Sequence, residues 1–182
     1  RRQRQMCIRD RLPRDDARIT PGVVHLPGWL PLERQAGIIT QLRDIARSLS
    51  GTPLAMARPQ LKSGQMQVFM LNLGRMWATN PYRYVTHAGG VRVPPVPDNL
   101  LQLATKALRA AALYDESLNQ WPSAFRPDMA LVNYYPPGAT MGMHQDRNEN
   151  SPAPIVSLSI GDEALFRTVS YTHLTLPTNR EV

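Results

Sequence analysis

The stretch NYYPPGATMGMHQD, residues 133–146, decides the fold of this chain. Residues 129–135 are rich in β-forming side chains, and residues 136–138 (Pro-Pro-Gly) have the composition of a tight turn. A second strand is predicted over residues 140–145. The stretch therefore predicts strand, turn and strand, with His144 and Asp146 at the end of the second strand.

His144 and Asp146 are separated by one residue, so on a strand their side chains point to the same face. An imidazole and a carboxylate on one face can bind one cation, and they supply two ligands of the 2-His-1-carboxylate triad that holds Fe(II). The same spacing places Asn133 and Tyr135 on one face of the preceding strand, where they can hydrogen-bond a small acid. His-x-Asp alone is a weak motif, and a surface histidine beside a solvated aspartate is the alternative interpretation.

The surrounding residues favour the metal site. The pattern Asn-x-Tyr-x-Pro-Gly-Ala followed by His-Gln-Asp, and then APIVSLSIG at residues 153–161, resembles the AlkB family, most closely its bacterial type. The resemblance extends over about Met66–Phe166. It implies an α+β, mainly β fold, a double-stranded β-helix (jelly roll) with two helices packed on the sheet. It also implies oxidative demethylation of N-alkylated nucleobases with Fe(II), 2-oxoglutarate and O2, which is alkylation-damage repair.

The resemblance assigns roles to four residues of this stretch. His144 and Asp146 match the Fe(II) ligands, and they would be the catalytic residues in that sense. Asn133 and Tyr135 match positions that hydrogen-bond 2-oxoglutarate. The family's second iron-binding histidine and its two arginines, one of which binds the 2-oxoglutarate carboxylate, are expected beyond Arg167.

Four further residues match substrate-binding positions of the family. Trp77, at the end of NLGRMW (residues 72–77), would stack on an extruded base, and Tyr84 would contact the nucleic acid beside it. Without the resemblance, both aromatics would be assigned to the core or the surface. Arg147 fits a basic position that contacts phosphate. Asn148 departs from the bacterial pattern, which has Asp there, so it lacks the charge that favours a cationic methylated base.

The remainder of the chain predicts a scaffold. Apolar residues recur at helical spacing in Pro31–Leu49 and again in Asn99–Leu113, where Asp98 is the predicted cap. Thr52–Gln65 resembles the nucleotide-recognition flap of the family. Further strands are predicted at Val23–Leu26, Gln67–Leu71 and Ile155–Ile160 and from Ala164 onward.

The two ends are interpreted as foreign to this domain. A DNA sequence that encodes Arg1–Asp10 has a reverse complement that encodes Val169–Thr178, codon for codon. This is typical of a library adapter read in both orientations. We therefore expect residues 1–11 to be adapter-derived, residues 168–182 to be adapter-derived or outside the family, and residues 12–167 to be a partial dioxygenase domain, truncated at its C-terminus and impaired in catalysis. His173 is then not expected to be the missing ligand.

The amino-acid composition gives little information about the binding partners of this chain. Without the terminal segments, the formal charge falls from +7 to about +3, which is compatible with nucleic acid without requiring it. The lone cysteine, Cys7, lies in an adapter segment, and no apolar run is long enough for a membrane span. We expect a cytoplasmic monomer, bacterial-like, that acts on alkylated single- or double-stranded DNA or on RNA, away from membranes; the sequence does not choose between DNA and RNA. Two alternatives stay open: a nucleic-acid-binding homologue without turnover, and a dioxygenase for proteins or small molecules.

Overall fold

The computed structural model describes residues 17–61, 64–79, 82–144, 151–162, 164–169 and 173–178. Strands outnumber helices in these ranges. The helices are α1 (Leu32–Ser48), α2 (Asp98–Ala112) and α3 (Trp121–Ala124). The strands are β1 (Ala17–Thr20), β2 (Val23–His25), β3 (Gln60–Leu61), β4 (Gly64–Gln65), β5 (Phe69–Leu73), β6 (Met76–Thr79), β7 (Tyr82–Val85), β8 (His87–Ala88), β9 (Val91–Arg92), β10 (Ala130–Tyr134), β11 (Ala164–Val169) and β12 (His173–Thr178).

The central pairing joins β5 to β10, two strands that are far apart in the chain. They run antiparallel, with Leu71 opposite Val132 and Phe69 opposite Tyr134. Each of the other pairings is a hairpin of neighbouring strands: β1–β2, β3–β4, β6–β7, β8–β9 and β11–β12. The predicted strands near residues 23, 69, 130 and 164 are confirmed, and the flap contains the short β3–β4 hairpin.

Both predicted helices form and pack on one side of β5–β10. Leu71 and Leu73 lie in one buried cluster with Leu49, and residues of both helices cover that cluster (Leu42, Ile45, Ala46, Leu100 and Leu101). Gln41 of α1 and Asn99 of α2 exchange two side-chain hydrogen bonds of 3.2 and 2.9 Å. Among the helices described, none is long and apolar enough to cross a bilayer.

The predicted apolar stripe of α1 (Leu32, Ala36, Ile39, Leu42, Ala46 and Leu49) is confirmed in part. Leu42, Ala46 and Leu49 pack in the cluster, together with Ile45, whereas Leu32 and Ala36 in the first turns are exposed. The predicted stripe of α2 is confirmed, with Leu103, Ala107 and Leu108 buried. Asp98 is the first residue of α2 and Pro97 holds the cap position, so the predicted cap is wrong by one residue.

The β5–β10 pair therefore has two unlike faces, because side chains alternate along each strand. The closed face lies under the helices and carries Phe69, Leu71, Leu73, Ala130 and Val132, with Tyr134 at its margin opposite Phe69. The open face carries Met70, Asn72, Leu131 and Asn133. Leu71 is 1 % exposed, whereas Leu131 on the open face is 46 % exposed.

A buried carboxylate fixes the N-terminal hairpin to the end of α2. Asp115 accepts hydrogen bonds from the Gly22 amide at 2.6 Å and from the Ser117 amide and hydroxyl at 3.0 and 2.7 Å. Arg18 Nε lies 3.0 Å from the same carboxylate. The Gly22 amide, the Ser117 hydroxyl and the Arg18 guanidinium hold the pKa of Asp115 well below its usual value, at about 2.

Two strand predictions are wrong. Residues 140–144 form no strand and pair with no neighbour within the described ranges, so His144 is not at the end of a ladder. Residues 155–160 are also irregular, and Ile155 is exposed where a buried strand was predicted. Both segments have β-forming composition, but a strand forms only where a partner strand accepts its backbone hydrogen bonds.

Candidate functional site

The predicted site begins on the open face of β10 and continues through a turn. Asn133 lies opposite Met70, and its side chain is exposed on that face. The chain then reverses at residues 136–139, where the Ala139 amide donates to the Pro136 carbonyl at 2.9 Å. Gly138 has φ near 77°, a conformation that other residues rarely adopt. The predicted turn is thus confirmed, and it directs the following residues back toward β5.

Tyr135 directly follows the last residue of β10 and carries a phenol that stays protonated. Its hydroxyl lies 3.8 Å from the sulfur of Met141, across the turn. Partial burial raises the pKa of Tyr135 above its usual value, because the phenolate would lose solvation. At neutral pH the hydroxyl therefore has a proton that it can donate to a bound carboxylate, which only accepts hydrogen bonds.

His144 lies at the end of the described part of the turn segment. Its Nδ1 is 2.9 Å from the Gly142 carbonyl oxygen. A carbonyl oxygen only accepts, so this contact requires the proton on Nδ1. Asp146 lies outside the described residues, as do Arg147 and Asn148, and the described ranges contain no group of three metal-binding side chains.

One distant side chain holds the segment that leads to His144. The Thr140 amide donates a 2.8 Å hydrogen bond to Gln67 Oε1, and the Thr140 hydroxyl lies 3.4 Å from the same oxygen. Gln67 stands immediately before Val68, which is fully buried, and β5. Sequence analysis did not identify Gln67, because no motif marks a contact across 73 residues.

The two predicted base-binding aromatics lie together on the β6–β7 hairpin. Trp77 is directly opposite Tyr84 in the register. Their ring centroids are 4.8 Å apart with an interplanar angle of 70°, an edge-to-face contact. The structure thus places Tyr84 against Trp77, where sequence reasoning had treated the two as separate contacts.

The turn before this hairpin is fixed to the start of β10. A side chain at Gly74 would collide with the carbonyl of Asp128, and the Gly74 amide donates to the Pro94 carbonyl at 2.6 Å. Arg75 Nε lies 2.7 Å from an Asp128 carboxylate oxygen. Glycine is required here both for space and for its φ of 76°. The NLGRMW segment therefore connects the aromatic hairpin to the strand that carries Asn133.

The chain is similar to known proteins in sequence and in fold. A family model described as the 2OG-Fe(II) oxygenase superfamily matches residues 22–179. The chain is 33 % identical over 161 residues to the DNA N(6)-methyladenine demethylase ALKBH1D of Arabidopsis thaliana, covering 81 % of this chain and 35 % of that protein. It is 34 % identical over 157 residues to the alpha-ketoglutarate-dependent dioxygenase AlkB homolog of Caulobacter vibrioides, covering 82 % of this chain and 63 % of that protein.

A solved structure also matches, that of OsALKBH1, with a TM-score of 0.72 at 25 % identity. The match covers 91 % of this chain and 79 % of the other. The chain thus spans about a third of the plant relative and under two thirds of the bacterial one.

Proposed function

The chain belongs to the 2OG-Fe(II) oxygenase superfamily, and on that premise we propose that it is an Fe(II)- and 2-oxoglutarate-dependent dioxygenase that demethylates N-alkylated bases of DNA or RNA. The observation that carries this proposal is the continuous run from Asn133 through Tyr135 and the tight turn to His144. It supplies an amide, a protonated phenol and an imidazole nitrogen from one short segment. Similarity to AlkB homologues supports the choice of substrate.

The side chains fit the groups that the family uses. His144 presents Nε2 because its Nδ1 proton is engaged by Gly142, the second contact that commonly orients a metal-binding histidine. Asp146 is proposed as the carboxylate ligand. When bound, Fe(II) and 2-oxoglutarate supply the oxidising chemistry. Asn133 and Tyr135 donate hydrogen bonds to the cosubstrate and orient it, and the raised pKa of Tyr135 keeps its proton in place.

The substrate side of the proposal uses the aromatic hairpin. The Trp77 ring provides a stacking surface for an extruded base, and the edge contact with Tyr84 limits how that ring can rotate. Arg147 is proposed to contact phosphate. Asn148 is proposed to accept from the base through its amide oxygen without the charge of an aspartate, which reduces selectivity for cationic methylated bases.

Finer features of the fold and its setting are also proposals. We assign the full barrel arrangement as a double-stranded β-helix, with β5 and β10 in one sheet and the open face directed to its interior. We assign residues 12–167 to the dioxygenase domain and residues 1–11 and 168–182 to adapter sequence. The protein is assigned as a cytoplasmic monomer with nucleic acid as its partner.

The test is demethylation of an oligonucleotide that contains 1-methyladenine or 3-methylcytosine. With Fe(II) and 2-oxoglutarate, formaldehyde and succinate should form in equal amounts, slowly because the domain is expected to be impaired in catalysis, and His144→Ala should abolish both. Oligonucleotide binding that is independent of iron, with no formaldehyde, would contradict the enzyme and favour a binding protein. Succinate formation that responds to a peptide or free amino acid, and not to the oligonucleotide, would assign a different substrate class.

A further inference from the structure

We propose that Gln67 is a positioning residue for the metal-binding segment, tying that segment to the base of the flap. The inference rests on the proposed function, since it assigns His144 to the metal. It starts from the two contacts of Gln67 Oε1 with Thr140, at 2.8 Å to the amide and 3.4 Å to the hydroxyl. Thr140 precedes His144 by four residues.

The segment needs such a contact because it is in no β-strand and so has no backbone hydrogen bonds to a neighbouring strand. Residues 139–144 are irregular, and the recorded backbone bond at their start, from Ala139 to Pro136, is local to the turn. Within the described ranges, the hydrogen bonds that residues 136–143 make to a distant part of the chain both go to Gln67. The position of the backbone that presents His144 therefore depends on this side chain.

Gln67 is held on a rigid part of the chain. Val68 is fully buried, and Phe69 pairs with Tyr134 at the end of β10. Because β5 and β10 are antiparallel, Gln67 lies just beyond this last pair, beside the point where β10 enters the turn. Its side chain thus reaches the returning segment from the start of β5, which lies beside the end of β10.

The same residue adjoins the flap. The flap is closed at its base by the Ala57–Met70 bridge and by the hydrogen bond from the Met66 amide to the Pro59 carbonyl at 2.9 Å. Gln67 lies between these closures, at the junction of the flap with β5. One amide oxygen therefore connects the region proposed to recognise the nucleotide with the segment proposed to hold iron.

Hydrogen exchange tests the contact directly. Gln67→Met keeps the length of the side chain and removes the acceptor, so the Thr140 amide should exchange about three- to tenfold faster, the range expected for one lost neutral hydrogen bond. Gln67→Glu keeps an acceptor oxygen and should restore slow exchange. Gln65→Met, a matched change two residues away, should leave the exchange of residues 139–144 unchanged. Gln67→Ala replaces the methionine variant if circular dichroism shows that variant to be unfolded.

Metal affinity and the KM values of the two substrates test whether the loss of this contact disturbs the metal-binding segment. In Gln67→Met, the dissociation constant for Co(II), used as a stand-in for Fe(II), and the KM for 2-oxoglutarate should rise severalfold, while the KM for the methylated oligonucleotide stays constant. Unchanged exchange at Thr140 would overturn the proposal, as would a change in oligonucleotide KM alone. If the unmodified chain neither binds Co(II) nor demethylates the oligonucleotide, the proposed function fails, and the exchange result still decides whether Gln67 positions the segment.

Discussion

The two faces of the β5–β10 pair differ in what covers them and in what they carry. The closed face packs Leu71 and Leu73 beneath both long helices, with exposures of 1 % and 0 %. The open face carries Asn133, and Tyr135 follows two residues later with 48 % of its surface exposed. One pair of strands thus serves as the core on one side and as the candidate site on the other.

This difference separates stability from function along a single strand. Val132 and Asn133 are neighbours in sequence, yet one packs in the cluster with Leu71 and the other faces away from it. Substitutions on the closed face should change the free energy of unfolding, and those on the open face should change ligand binding. Matched pairs of variants can confirm or break this separation.

The largest effect is expected on the closed face. Leu71→Ala should lower the free energy of unfolding by about 2–5 kcal/mol, because it leaves a cavity in a fully buried position. Leu131→Ala on the open face should cost less than about 1 kcal/mol, since that side chain is 46 % exposed. Urea unfolding of both variants measures the contrast. Equal losses would show that the open face is also covered in solution.

The next effect concerns metal binding. His144→Ala should weaken Co(II) binding by more than about 100-fold with little change in unfolding, because it removes a ligand and no packing. His173→Ala is the control and should leave the affinity unchanged, since residue 173 is expected to be adapter-encoded. Calorimetric titration of both variants gives the answer. A comparable loss in His173→Ala would make that residue a ligand and would end the adapter interpretation for residues 168–182.

The sequence predicted the parts of this arrangement that depend on local pattern. The two helices, β5, β10 and the turn at residues 136–138 follow from periodicity and turn chemistry, and all are confirmed. The strands predicted at residues 140–145 and 155–160 are wrong over the described residues, because strand formation needs a partner that composition does not reveal.

The contacts that build the site depend on distant pairs. Gln67 and Thr140 are 73 positions apart, and Arg75 and Asp128 are 53 apart. Trp77 and Tyr84 lie opposite each other because of the register of the β6–β7 hairpin. Their separation of seven residues in the sequence does not specify that register. The resemblance could therefore assign roles to individual residues, whereas the distances and contacts between them are known only from the folded structure.

A smaller effect is expected at the aromatic hairpin, which lies outside the two faces. Trp77→Ala should weaken binding of a methylated oligonucleotide by about 1–3 kcal/mol, the range for one base stacked on an aromatic ring. Tyr114→Ala, an exposed aromatic just beyond the end of α2, should have no effect. Fluorescence anisotropy at fixed salt compares the two. If both variants bind like the unmodified chain, base stacking must be assigned to another residue.

The smallest effect makes the sharpest comparison, because it changes one oxygen atom on each of two adjacent residues. Tyr135→Phe should raise the KM for 2-oxoglutarate by about 0.5–1.5 kcal/mol in free-energy terms, since it removes one donated hydrogen bond. Tyr134→Phe should leave it unchanged, because Tyr134 contacts Phe69 through its ring, at 6.1 Å between centroids, on the side of the closed face. The raised pKa of Tyr135 keeps its phenol protonated from pH 6 through the usual tyrosine range near 10, so the difference between the variants should be constant from about pH 6 to 9. If the ratio of the KM of Tyr135→Phe to that of the unmodified chain falls across this interval, the phenol ionises within it. If Tyr134→Phe and Tyr135→Phe raise the KM equally, adjacent residues are not divided between the core and the candidate site.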